Sequence, residues 1–212
     1  MNPLLVALLG VLLIPLFVAT WRSSLFGLGC QGVLMALIAR QLESTPDTVG
    51  DWLALVDLGV VRGFVAPLAL YGVLRARKTP GRNDVIPPNL LSWTIALGMV
   101  LMSFSFAELL VADSGEQETL VAVAATGVLL GFLVLATQSD PFSQMIGALR
   151  IENSIALLEL GDKHHDWPLA IQLGLLAVFL VTIAFFRGYL ITLTSRRVGG
   201  VEESASVGEP TL

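Results

Sequence analysis

Seven stretches of this sequence stay apolar over about the length needed to cross a bilayer, and those run lengths constrain the fold more than any single residue does. A hydrocarbon core roughly 30 Å thick takes about 20 helical residues at about 1.5 Å each. Hydropathy places the spans at about 3–21, 24–39, 52–74, 89–112, 118–137, 142–160 and 167–191. With 55% of the 212 residues hydrophobic, 14% charged and a mean hydropathy of +0.79, a water-soluble core is excluded. The chain reads as an all-α integral membrane protein of about seven transmembrane helices. Its second span is the most dilute: Ser23, Ser24, Gln31 and several small residues interrupt it and Arg40 closes it, so a short or tilted helix is expected. Met1 to Trp21 lacks the basic start and small-residue cleavage site of a secretory signal and reads as a retained first helix.

The connections carry turn formers: Glu43 to Asp47, Lys78 to Asp84 and Asp113 to Glu116, with Pro46, Pro80, Pro87 and Pro88 as stops. Positive charge concentrates in the third connection (Arg75, Arg77, Lys78, Arg82), and cytoplasmic loops retain such charge. Seven spans then place the N-terminus outside and the C-terminus, with Arg196 and Arg197, in the cytoplasm. The organisation expected is a four-helix membrane segment over 1–112, a three-helix segment over 113–194, and a Gly-, Ser- and Glu-bearing tail over 195–212 that reads as disordered. No basic stripe points to nucleic acid, and lipid is the surrounding partner. No phosphate-binding loop, His-Glu-x-x-His or Cys-x-x-Cys is present, so the chain reads as non-catalytic by itself. With Cys30 as its one cysteine it cannot hold an iron–sulfur cluster alone.

Ions in hydrocarbon cost about 2.5 kcal/mol or more on insertion scales, so each intramembrane charge is a site hypothesis. The sequence offers Asp57 and Arg62 in the third span, Glu108 in the fourth, and Arg150, Glu152 and Glu159 in the sixth. Asp57 and Arg62 are five apart, about 140° around an α-helix, which makes them poor partners for each other and sends each to other helices. Glu152 and Glu159 are seven apart and share a face with Ile155 and Ala156 between them, a polar track about 10 Å long. For Glu108 and Glu159 the plain alternative is anchoring at the headgroups. For Glu152 and Arg62 it is a structural ion pair. His164 and His165 read as a solvated loop pair, and the small-residue positions Gly27, Gly29, Gly32, Gly127 and Gly131 as sites of close helix packing.

The run Gln144 to Leu160, centred on Arg150-Ile151-Glu152-Asn153-Ser154-Ile155, resembles the Gly-Leu-x-Arg-x-Glu-Asn-Gly-Ile stretch of the E-type membrane subunits of hydrogenase-4 and related energy-converting hydrogenases. Arg22 through Ala39 and Val60-Val61-Arg62-Gly63-Phe64-Val65-Ala66-Pro67-Leu68 are similar to two further helices of that hydrogenase-4 family, in the same order. The family is related to the K-type subunit of respiratory complex I and to the C-type subunit of Mrp antiporters. The resemblance implies that the last three helices form a unit like the K-type subunit, that Glu152 is the leading proton-handling carboxylate, and that Arg62 stands in the place of an intramembrane lysine. It also implies a bacterial or archaeal cytoplasmic membrane and antiporter-like membrane subunits as partners. No cofactor is expected on this chain; iron–sulfur or nickel–iron centres would sit in partner subunits. Two departures stand out: Leu149 falls where the middle helix of the complex I protein carries its glutamate, and Gln172 and Val178 stand in the last helix where the hydrogenase family carries acids. The readings set against this one are a purely structural membrane anchor, an ion or inorganic-carbon transport module using related subunits, a stand-alone transporter and, least favoured, an intramembrane enzyme.

Overall fold

A computed structural model describes residues 2–17, 20–42, 47–76, 90–111, 115–160 and 168–206. Every element among them is helical: α1 (Pro3–Phe17), α2 (Trp21–Leu42), α3 (Val49–Val56), a π-segment (Asp57–Val65), α4 (Ala66–Ala76), α5 (Leu90–Leu110), α6 (Glu116–Thr137), α7 (Pro141–Leu160) and α8 (Leu169–Ser206). Helix is the expected answer, because backbone groups in hydrocarbon must be satisfied within their own segment. The same demand falls on hydroxyls, and they meet it locally: Ser103 donates to the Met99 carbonyl, Thr126 to Ala122 and Thr182 to Val178, all at 2.8–2.9 Å.

Five of the described helical runs are long and apolar enough to cross a membrane: Trp21–Leu42, Val49–Arg75, Leu90–Leu110, Glu116–Thr137 and Leu169–Leu193. α3, the π-segment and α4 together make the second of these. The span read as dilute, α2, is a full 22 residues. α1 is shorter, apolar over Pro3–Leu13. α7 has the length, at 20 residues, but Arg150, Glu152, Asn153 and Glu159 make it less apolar. α8 runs on as backbone helix to Ser206, where the sequence suggests disorder from Ser195; the apolar part ends at Leu193, so the added turns lie beyond the span. The basic run Arg77 to Arg82 and the pair His164 and His165 lie outside the described residues.

Consecutive helices run up and down. At one face of the bundle the start of α1 meets the end of α2 and the start of α6, through the Asn2 side-chain amide donating to Gln41 and to Glu116. At the opposite face Phe17 stacks on Trp93, with centroids 4.0 Å apart, and Trp21 packs edge-on against Phe142 at 4.9 Å. These pairs lie at the end of α1 and the starts of α5, α2 and α7, where interfacial aromatics belong. Inside, one apolar cluster joins α1, α2 and α6 around Leu5, Leu8, Leu12 and Met35, and a second joins α2, α4, α7 and α8 around Leu28, Leu70, Phe142 and Phe179. α5 and α8 keep broad apolar faces exposed, including Leu97, Leu101, Val178 and Val181, which suits helices bordered by lipid.

Candidate functional site

α3 starts with a capping box: Thr48 Oγ1 accepts from the Asp51 amide at 3.2 Å, and Asp51 Oδ2 accepts from the Thr48 amide at 2.8 Å. From Asp57 the winding changes. The amide of Ala66 donates to the carbonyl of Val61, five residues back, and the π-pattern holds over Asp57–Val65. In this geometry residues five apart come nearly above one another. Asp57 and Arg62 are therefore partners, contrary to the α-helical expectation: Arg62 Nε donates to Asp57 Oδ2 at 2.9 Å. The physical reason is the cost of an unpaired guanidinium at membrane depth, several kcal/mol, which outweighs the poorer backbone geometry of a widened turn. Gly59 and Gly63, together with Val60, Val61 and Val65, already weaken the α preference of this stretch.

Arg62 is 5% exposed. Its Nη1 donates to Asn153 Oδ1 on α7 at 3.1 Å, and its guanidinium carbon lies 4.1 Å from the centroid of the Phe179 ring on α8. One cation thus joins three elements through a carboxylate, an amide and an aromatic face. α2 fixes where it sits. A Cβ added at Gly32 would come 2.5 Å from the Gly63 nitrogen and 2.7 Å from the Arg62 carbonyl carbon, and one at Gly29 would come 2.8 Å from the Gly63 oxygen. The backbones touch, and only glycine permits it.

On α7, Asn153 and Ser154 are buried; Ser154 Oγ donates to the Arg150 carbonyl at 2.8 Å, and Gln31 Nε2 reaches that carbonyl and Ser154 Oγ, each at 3.4 Å. Glu152 is half-buried next to Asn153, close enough to feel the charges of both Arg62 and Asp57. Arg150 is buried about one turn before Asn153. Glu159 lies at the far end of α7 and is exposed, yet it borders a cavity of about 570 Å³ whose wall also includes Asp51, Asp57, Arg62, Ala156 and Gln172. Of the six ionisable residues singled out from the sequence, Asp57, Arg62, Glu152 and Glu159 come into one neighbourhood. Glu108 does not: it is exposed beside Leu109 and Leu110 on α5, which packs chiefly against α6.

Sequence reasoning passed over the uncharged members of this site. Gln31 read as dilution of a span and Gln172 as the place of a missing acid, while Asn153 entered as part of the resemblance and Phe179 was not singled out. The signal available was that amides at membrane depth need partners as ions do, though less urgently. Among the described residues no group of three or more His, Cys, Asp or Glu side chains converges to hold a metal. Chemically the arrangement offers a fixed cation with one carboxylate on it, a second carboxylate nearby, and a cavity in contact with the pair. Compared with known proteins, the chain matches no family model, no curated sequence and no solved structure.

Proposed function

We propose that this chain is a membrane subunit of an energy-converting oxidoreductase complex of the hydrogenase-4 or complex I kind, contributing to or scaffolding proton translocation beside antiporter-like subunits. The observation that carries the reading is the buried Arg62, held by Asp57 and Asn153 with Glu152 within electrostatic range. A guanidinium at this depth keeps its charge, so the net charge of the cluster changes when a neighbouring carboxylate gains or loses a proton. Glu152, half-buried on α7 and next in sequence to the Asn153 that Arg62 holds, is the group suited to do so. Redox centres would reside in soluble partners, and this chain would contribute only the charge response.

The topology that goes with this reading is seven crossings, with α1 and α7 counted among them. It is supported by the alternation of helix ends, Asn2 with Gln41 and Glu116 at one face and the aromatic pairs at the other. The loop basic charge then puts the Asn2 face outside, in a bacterial or archaeal cytoplasmic membrane. The last three helices would be the unit similar to the K-type subunit of complex I.

The test is Glu152→Gln in the complete complex in native membranes. Proton movement should fall at least several-fold while the complex still assembles; undiminished pumping would remove Glu152 from the mechanism. Purification in mild detergent should bring down large antiporter-like subunits, and a chain that isolates alone as a stable oligomer would overturn the proposal.

A further inference from the structure

The cavity beside Arg62 has a definite sidedness. Its wall takes Thr48 to Asp51 at the start of α3, Glu159 and Leu160 at the end of α7, and Leu169 and Gln172 at the start of α8. All three helix ends belong to the face marked by Asn2, Gln41 and Glu116. From there the wall follows Leu53, Ala54, Asp57 and Leu58 inward to Arg62, fourteen residues past Thr48, which is about 20 Å along a helix axis. The opposite face, with Trp21, Phe142 and the end of α4, contributes nothing to it.

Two features say what fills it. Among the described residues three carboxylates, Asp51, Asp57 and Glu159, border it with one guanidinium, Arg62, and this balance of wall charge favours cations. Asp57 Oδ1 is shielded by its surroundings and has no hydrogen-bond donor among the described residues, while its twin Oδ2 holds Arg62. That oxygen is closed off, but the Asp57 side chain as a whole is 17% exposed and borders the cavity, so water there solvates the pair and lowers the cost of holding two ions at this depth.

We infer that this cavity is a hydrated vestibule, open to one membrane face only, which admits water and small cations to the Asp57–Arg62 pair and excludes anions. The inference rests on the reading of the chain as a membrane-crossing protein but not on which complex it serves. It gives the charge cluster one side from which protons or other monovalent cations are exchanged.

The experiment uses single-cysteine variants of the full chain in its native membrane, on a Cys30→Ser background. Ala54→Cys and Leu175→Cys place a thiol on the two walls, and the exposed Val181→Cys on α8 serves as the lipid-facing control. Two membrane-impermeant thiosulfonates of similar size, one a trimethylammonium and one a sulfonate, are applied to right-side-out and inverted vesicles. Both wall positions should react from one side only, and faster with the cationic reagent by about tenfold relative to a free thiol. Glu159→Gln should shrink that preference. Reaction from both sides, equal rates for the two reagents, or reaction only with a lipid-soluble maleimide, as at Val181→Cys, would overturn the inference. Leu175 is already partly exposed, so that variant stays informative if Ala54→Cys fails to insert. A vestibule that labels as expected in a chain lacking antiporter-like partners would sink the proposed complex and leave the vestibule standing.

Discussion

Two glycine seams hold this bundle together, and they admit different things. Between α6 and α7, Gly127, Gly131 and Gly147 make room mainly for side chains: a Cβ at Gly127 would strike Ser154 Oγ, one at Gly131 would strike Ile151 Cγ1, and one at Gly147 would come 2.9 Å from Val134 Cγ1. Between α2 and the π-segment, Gly29 and Gly32 make room for backbone. Lipid supplies no hydrophobic drive for helices to associate, so both seams rely on close contact. Where the glycines receive side chains, both helices keep regular winding. Where they receive backbone, the partner is free to widen, and the widened turn brings a carboxylate onto a buried guanidinium. The same packing device serves cohesion in one place and charge placement in the other.

The sharpest way to break the comparison is to fill each seam. Gly32→Leu should abolish the folded protein, because its Cβ meets Gly63 and Arg62 backbone that cannot rotate aside; detergent-solubilised material should lose its monodisperse peak. Next in size is the ion pair. Asp57→Ala should cost about 3–5 kcal/mol by leaving Arg62 buried without its carboxylate, whereas Asp57→Leu combined with Arg62→Met should return stability to near the parent while proton movement is lost. Equal destabilisation by the single and double variants would show that the pair is not what the π-segment is built around. Gly127→Ala meets the end of a serine side chain, and about 1–3 kcal/mol of overpacking strain is expected, read as a lowered Tm. The smallest effect belongs to glycines outside either seam. Gly72→Ala and Gly174→Ala have open space around the new methyl and should leave the Tm unchanged or raise it by the equivalent of about 0.5–1 kcal/mol. A large loss at either position would mean that more of the surface is in contact with something than the chain alone reveals.

Run length made the helices legible: α2, the run from α3 through α4, α5, α6 and α7 begin and end within about three residues of the stretches read from hydropathy, and four of these five are long and apolar enough to cross a membrane. The packing role of Gly29, Gly32, Gly127 and Gly131 was legible too, since small residues recurring in apolar helices have few other uses. The site was legible only as a set of suspects. Asp57 and Arg62 were marked by their depth, but their pairing was ruled out by assuming α-helical spacing, and nothing local dictates where an i→i+5 ladder replaces an i→i+4 one. That choice comes from the contact with α2 and from Asn153 reaching across from α7, which are tertiary facts. Glu152 and Glu159 were read as one continuous face. α7 winds as an α-helix over Pro141–Leu160, which keeps them on one side; of the residues between them Ala156 joins Glu159 on the cavity wall and Ile155 is 47% exposed.

The π-segment also sets the phase of everything that follows it in its span. Each of its turns holds one more residue than an α-turn, so Ala66, Leu70 and Val73 arrive at the core from a direction that an unbroken α-helix would not have given them. Removing a single residue between Asp57 and Val65 is absorbed if one wide turn closes as an α-turn, whereas removing one from α4 itself would turn the side chains after it by about 100° and swing the packed side of α4 away from Leu28 and Phe142. The span therefore has a counted length as well as a composition, and tolerance to insertion or deletion there is governed by rotation about the helix axis rather than by the thickness of the membrane.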